Sequence, residues 1–140
     1  MADCGIGNAQ AMNAEPVTPQ KFVLAVDDES EMLEMIKQSL EGEGFRVLTA
    51  DGPKKALEIY EKRWEEIGLV LLDYLMPDMT GDLVFECLQQ IHAEVRVILL
   101  TAYEDRVARK MFDTGLCGYI QKPFYVADLV QRVREELSQS

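Results

Sequence analysis

Short apolar runs that end in polar residues alternate with amphipathic segments along most of this chain, and this alternation is what most constrains the fold. The runs at 22–26, 45–49, 69–72, 95–100 and 117–120 are predicted to be strands. The segments between them carry apolar residues at helical spacing. Five strand–helix units predict an α/β fold, with a doubly wound parallel sheet covered by helices on both faces.

The helices are predicted from their end signals and from their apolar faces. Gly42 and Gly44 end the first helix, Pro53 begins the second, Thr80 is a candidate N-cap of the third, and a more polar fourth helix is predicted at about 105–113. The predicted inner faces are Met32, Leu33, Ile36 and Leu40; Ala56, Leu57, Tyr60 and Trp64; Leu83, Val84, Cys87, Leu88 and Ile91; and Val126, Leu129, Val130, Val133 and Leu137.

Composition excludes several classes of function. The 140 residues, 48% of them hydrophobic, suit one folded domain, and a net charge of −11 argues against direct binding to nucleic acid or anionic lipid. Three cysteines without CxxC spacing indicate a reducing, cytoplasmic location. No apolar run approaches the roughly 18 residues of a membrane span, so no membrane insertion is expected in this segment.

The first 20 residues differ from the rest, since they are small, polar and almost uncharged. We predict a flexible tail or linker at 1–20 and a folded domain at 21–138.

Polar residues follow four of the five predicted strands at the point where each strand ends. Asp27 and Asp28 follow the first strand, Asp73 the third, Thr101 the fourth and Lys122 the fifth. Sites in open parallel sheets form outside the carboxyl ends of the strands, so these side chains are expected to converge. Each residue alone has an ordinary explanation as a cap or turn residue, and their joint placement favours a site.

The residue types suit metal-assisted phosphoryl transfer. Three neighbouring carboxylates repel one another unless a cation compensates, and Mg²⁺ prefers oxygen ligands. One carboxylate can attack phosphorus to form an aspartyl phosphate. Lys122 offers a positive charge and Thr101 a hydroxyl donor for phosphoryl oxygens.

Four segments resemble the receiver domain of two-component response regulators: VLAVDDES at 23–30, LVLLDYLMPDMTG at 69–81, VILLTAY at 97–103 and GYIQKPF at 118–124. The resemblance spans 21–138 and implies a CheY-like, flavodoxin-like (βα)5 fold with strand order 2-1-3-4-5. It also implies a signalling phosphoacceptor that catalyses only its own phosphorylation and dephosphorylation, rather than an enzyme with a separate substrate.

The resemblance assigns roles to the acidic residues and to their neighbours. It implies that Asp73 is the phosphoacceptor, that Asp28 binds Mg²⁺ or another divalent cation directly, and that Asp27 acts mostly through water. The backbone carbonyl of Leu75 would be a further metal ligand. Lys122 would pair with the phosphate, and the bond to the following proline would be cis.

The resemblance also implies a switch and partners. Thr101 would be the switch hydroxyl and Tyr119 the aromatic residue whose rotamer follows phosphorylation. A sensor histidine kinase or a histidine phosphotransfer protein would donate the phosphoryl group, and an unknown output partner would read the surface of helix four, strand five and helix five. Candidate contacts on the fourth helix are Arg106, Arg109 and Lys110, which an ordinary solvated helix face explains equally well. Leu75 and Tyr103 flank the attack path and could shield the aspartyl phosphate from water.

Two rival functions remain. A phosphatase with an aspartyl nucleophile would carry a DxD pattern after strand one, whereas this chain has adjacent Asp27 and Asp28. A receiver-like module that works without phosphorylation would not need the motif residues, which are all intact. No glycine fingerprint for nucleotide binding is present. A single-domain regulator and a receiver from a longer protein or hybrid kinase both fit the sequence.

Overall fold

A computed structural model describes residues 20–102 and 105–138, with the side chains of 105–108 left aside. Most of the predicted tail and Tyr103 therefore lie outside the described residues. None of the described helices is long and apolar enough to cross a membrane. The elements are β1 (Phe22–Val26), α1 (Ser30–Gly42), β2 (Arg46–Ala50), α2 (Pro53–Arg63), a 3-10 turn (Trp64–Glu66), β3 (Ile67–Asp73), α3 (Gly81–Ile91), β4 (Val97–Thr101), α4 (Asp105–Phe112), β5 (Gly118–Gln121) and α5 (Val126–Leu137).

The five strands form one parallel sheet in the order β2-β1-β3-β4-β5, which confirms the predicted fold class and strand order. The strand order reverses between β1 and β3, the point where ligands bind in open α/β sheets. Each strand lies within two residues of its predicted position. The largest differences are at β3, which begins two residues earlier than predicted, and β4, which begins two residues later.

The central strand β3 places alternate side chains on opposite faces of the sheet. Leu69 and Leu71 pack with α1 and α5, while Val70 and Leu72 pack with α2 and α3. All four are at most 1% exposed. Burial of such a side chain contributes roughly 1.5–3 kcal/mol, so both layers of helices hold the strand that ends at Asp73.

Two residues assigned to inner helix faces are exposed instead. Leu83 is 48% exposed, and Phe85 takes the core position at 1% exposure. At about 100° per residue, a stripe centred on Gly81, Phe85 and Leu88 leaves Leu83 facing outwards. Val126 is 40% exposed because it is the first residue of α5 and precedes the turn that reaches the core at Leu129.

The predicted helix ends are confirmed in position, but the capping differs. Gly42 ends α1, and Gly44 has a φ of 95°, where glycine avoids the strain of a side chain. Thr80 occupies the N-cap position of α3, yet its hydroxyl donates to the Asp82 carboxylate at 2.5 Å instead of capping the backbone.

His92 and Trp64 are structural neighbours. Their rings stack with centroids 4.3 Å apart, and Nδ1 of His92 lies 3.3 Å from the Tyr60 hydroxyl. Trp64 therefore packs at the end of α2, and the ring of His92 contacts residues on or just after that helix.

The buried hydroxyl of Tyr60 should make stability sensitive to alkaline pH. Tyr60 is 1% exposed, and burial raises its pKa from 10.0 to about 12. Because the unfolded chain would ionise this group first, the free energy of unfolding should fall through that pH range, by about 3 kcal/mol for this group. Urea unfolding as a function of pH should show a smaller loss of unfolding free energy at alkaline pH for Tyr60→Phe than for the wild type. An equal loss would contradict the assignment.

Candidate functional site

The predicted site residues converge at the carboxyl edge of the sheet. One carboxylate oxygen from each of Asp27, Asp28 and Asp73 lies within 4.8 Å of the others. An open cleft above them is lined by Asp28, Asp73, Leu75, Thr101 and Lys122, among others. Asp27 is fully buried, Asp73 is 5% exposed and Asp28 is exposed. The arrangement therefore combines an accessible acid with two buried ones.

Strand register explains this convergence. Val26 pairs with Leu72, so Asp27 and Asp73 follow at the same level of adjacent strands. Asp73 pairs with Leu100, which places Thr101 one residue further along β4. The Lys122 backbone N–H donates to the Thr101 carbonyl at 2.7 Å, which extends the backbone hydrogen bonding between β4 and β5 one residue beyond the end of β5.

Lys122 reaches across the carboxyl edge to the acids. Its Nζ lies 2.7 Å from Oδ1 of Asp73 and 3.4 Å from Oδ2 of Asp27. Both contacts are partly buried, so solvent screens them less than it would a surface pair. Among the described residues, Lys122 pairs with two of the three clustered carboxylates, so the cluster keeps the negative charge and oxygen atoms that a divalent cation needs.

Burial dominates the electrostatics of the two inner acids. It raises the pKa of Asp73 to about 6, against the lowering effect of the Lys122 hydrogen bond, and the charge of Asp27 raises it further. Burial also raises the pKa of Asp27. For Lys122, burial lowers the pKa, but the hydrogen bond to Asp73 and the nearby carboxylates outweigh it, so the net pKa is raised. The lysine is therefore charged at neutral pH.

Asp27 is held by the start of α1. Its Oδ1 accepts a hydrogen bond from the backbone N–H of Glu29 at 2.9 Å. Glu29 occupies the N-cap position of α1, and its side chain forms no capping bond. The buried carboxylate instead satisfies a backbone donor, which fixes its orientation beneath the cleft.

A family model described as the response regulator receiver domain matches residues 23–134. The chain belongs to this family. The receiver is 36% identical over 119 residues to the transcriptional regulatory protein CpxR of Escherichia coli, covering 84% of this chain and 50% of that protein. It thus spans about half the length of that relative.

Solved structures show the same receiver fold. A CheY-like receiver domain from Methanospirillum hungatei has a TM-score of 0.79 and 30% identity, covering 86% of this chain and 96% of that chain. A CheX–CheY–BeF3–Mg²⁺ complex from Borrelia burgdorferi has a TM-score of 0.78 and 28% identity, covering 82% and 87%.

Thr101 and Tyr119, the predicted switch residues, lie on β4 and β5, and Thr101 lines the cleft of the acidic cluster. Thr101 is 1% exposed, and Tyr119 is half-buried. The Tyr119 ring meets Phe112 of α4 edge to face, with centroids 6.4 Å apart. Phe112 was not among the site residues predicted from the sequence, although its position as an aromatic residue on a polar helix could have indicated it. The Lys122–Pro123 bond is cis, as predicted.

The loop after Asp73 depends on a close backbone approach at Gly81. The Gly81 N–H donates to the Tyr74 carbonyl at 2.6 Å. A Cβ on Gly81 would lie 2.9 Å from the Tyr74 Cα, 3.1 Å from the Asp73 carbonyl oxygen and 3.1 Å from Leu99 Cδ1. A side chain at this position would therefore push directly on the backbone of Asp73, which lines the cleft.

We expect Gly81→Ala to destabilise the receiver, because the new methyl group meets backbone atoms that have little freedom to move. Overpacking of this kind costs typically about 1–3 kcal/mol, and urea unfolding would measure it. Gly42→Ala is the matched control, since a Cβ there meets nothing within 4 Å. Equal stability of both variants would contradict the close approach.

Proposed function

We propose that the receiver takes a phosphoryl group onto Asp73 from a phosphohistidine of a sensor histidine kinase or a histidine phosphotransfer protein. The supporting observation is the geometry of Asp73, which lines the open cleft, is within 4.8 Å of two further carboxylates and contacts Lys122 at 2.7 Å. A nucleophile, a positive charge and a place for a cation therefore lie together.

The residues present fit Mg²⁺ or another divalent cation. Carboxylate oxygens of Asp28 and Asp73, assisted by Asp27, and the backbone carbonyl of Leu75 would hold it. When bound, the ion supplies neutralisation of charge on the phosphoryl oxygens. The similar complex from Borrelia burgdorferi contains Mg²⁺ and BeF3, which supports this part of the proposal.

In the proposed reaction, a carboxylate oxygen of Asp73 attacks phosphorus in line with the donor histidine. The new O–P bond forms as the P–N bond breaks, and the imidazole nitrogen keeps the electron pair. Lys122 moves its hydrogen bond from the carboxylate to a phosphoryl oxygen, and the Thr101 hydroxyl donates to another. Alignment and charge neutralisation, rather than proton transfer, account for the rate.

Signalling would follow from movement of Thr101 toward the phosphoryl group, with Tyr119 turning into the vacated space. The surface of α4, β5 and α5 would then change, and an output partner would read it. Arg109 and Lys110 are exposed on α4 and are candidate contacts, while the side chain of Arg106 lies outside the described part. We propose that the reaction takes place in the cytoplasm. We also propose that the receiver domain spans residues 21–138.

The direct test is incubation of the purified chain with Mg²⁺ and acetyl phosphate, followed by intact mass spectrometry. We expect the gain of one phosphoryl group, which should be lost in a metal-free sample. If no gain occurs and beryllofluoride with Mg²⁺ also fails to bind, the alternative of a phosphorylation-independent interaction module replaces this proposal.

Leu75 is proposed to lengthen the lifetime of the aspartyl phosphate. Its side chain is 58% exposed at the rim of the cleft, where a bulky apolar group would hinder an attacking water. We expect Leu75→Asn to speed dephosphorylation by up to about tenfold, or about 1.4 kcal/mol, and Tyr103→Glu to act in the same direction. Leu83→Asn, at another exposed leucine, is the control. Unchanged lifetimes in both Leu75→Asn and Tyr103→Glu would refute the shielding role.

A further inference from the structure

A second charged cluster lies at the opposite, amino end of the strands. Glu136, the penultimate residue of α5, is only 9% exposed. Its Oε1 accepts a hydrogen bond from Nη2 of Arg96 at 2.5 Å, and its Oε2 lies 3.5 Å from Nη2 of Arg132. Both oxygens of a buried carboxylate thus face guanidinium groups. Arg96 immediately precedes β4, the strand that ends at Thr101.

The guanidinium of Arg132 also occupies the space above Gly118, the first residue of β5. A Cβ on Gly118 would collide with Nη2 of Arg132 and would lie 3.1 Å from its Cζ. Only glycine therefore leaves room for the guanidinium at this point. The strand that carries Tyr119 and leads to Lys122 is covered by the same group that pairs with Glu136.

These contacts oppose any shift of α5 along the sheet. A shift would pull Arg132 out of the space above Gly118 and would separate the buried Glu136 carboxylate from Arg96, which is strongly unfavourable. The ion pair between Arg134 and Glu43 differs, because both side chains are 51% exposed and such pairs contribute little. Helix α4 places apolar side chains on this side of the molecule, since Met111 is buried and Phe112 lies against the Tyr119 ring of β5.

We infer that Arg96, Arg132 and Glu136 lock α5 to the starts of β4 and β5, so that the proposed change of the surface of α4, β5 and α5 arises from movement of α4 and Tyr119 while α5 stays in place. The inference rests on the proposed function, because it concerns the response to modification at Asp73. Rotation of Tyr119 changes the apolar contact with Phe112 directly. The same rotation leaves the ionic contacts of Arg96, Arg132 and Glu136 intact, so α5 stays in place.

Hydrogen–deuterium exchange of the full chain with Mg²⁺, with and without beryllofluoride, tests the lock. In the wild type we expect exchange to change at 105–121 and to stay constant at 126–137. In Arg132→Gln the change should extend into 126–137, by at least about threefold in exchange rate, because local opening costs less there. Arg134→Gln, on the same helix, should behave as the wild type. Gly118→Ala is the second variant, since its methyl group displaces the Arg132 guanidinium.

The outcomes separate the lock from the proposed function. A response of wild-type α5 as large as that of α4, or an α5 that stays unresponsive in both Arg132→Gln and Gly118→Ala, would overturn the lock. Binding of beryllofluoride, followed separately by fluorine NMR, reports on the acidic site alone, and its absence would count against the proposed function. In that case the unliganded variants would test the lock. Faster exchange of α5 in Arg132→Gln than in Arg134→Gln would support it, and equal exchange would overturn it.

Discussion

Asp73→Asn should abolish the Mg²⁺-dependent gain of a phosphoryl group from acetyl phosphate, with a loss of at least about 100-fold in rate, or about 2.7 kcal/mol. The amide keeps the size of the side chain but is a poor nucleophile and cannot form an acyl phosphate. Intact mass spectrometry over time measures the loss. The same variant should unfold at higher urea concentration in Mg²⁺-free buffer, because one of three mutually repelling carboxylates is removed from the cluster.

The matched control is Asp78→Asn, which removes the same charge from an exposed position in the loop after β3. It should be phosphorylated at the wild-type rate and keep wild-type stability. If Asp73→Asn gained a phosphoryl group as fast as this control, the acceptor would be another residue and the central proposal would be wrong.

Lys122→Met should weaken both the site and the fold. Its Nζ lies 2.7 Å from Asp73 and 3.4 Å from Asp27, the two buried acids of the cluster. Removing one partner of a buried pair is costly, and we expect a loss of about 2–3 kcal/mol of unfolding free energy without Mg²⁺. The phosphorylation rate should fall by at least about tenfold, or 1.4 kcal/mol, since one stabilising charge on the phosphoryl group is lost.

The contribution of Lys122 to stability should depend on pH in a defined direction. Because the pKa of Lys122 is raised above its ordinary 10.5, its contribution to stability is complete at neutral pH and is lost only as the pH rises beyond that value. Urea unfolding at neutral pH therefore reports the full effect of Lys122→Met. Lys110→Met, at an exposed lysine of α4, is the control, and comparable losses in the two variants would show that Lys122 has no special role.

Sequence alone was sufficient for the elements and for the place of the site. Apolar runs ending at Val26, Leu72 and Leu100 are long enough to specify buried strands, and a parallel sheet brings their carboxyl ends to one edge. That is why Asp27, Asp73 and Thr101 could be assigned to one cluster from their positions after strands. The strand order, in contrast, came from the resemblance to the receiver family, and the structure confirms it.

Tertiary structure decided what depends on contacts between distant segments. Exposure of Leu83 and burial of Phe85 follow from the phase of α3 against the sheet, which the spacing of apolar residues alone left ambiguous. The network of Arg96, Arg132 and Glu136 gives no local pattern, because its members are ordinary surface residue types that are up to 40 positions apart. Helical periodicity reports which residues share a face, whereas packing determines which face is buried and which charges meet.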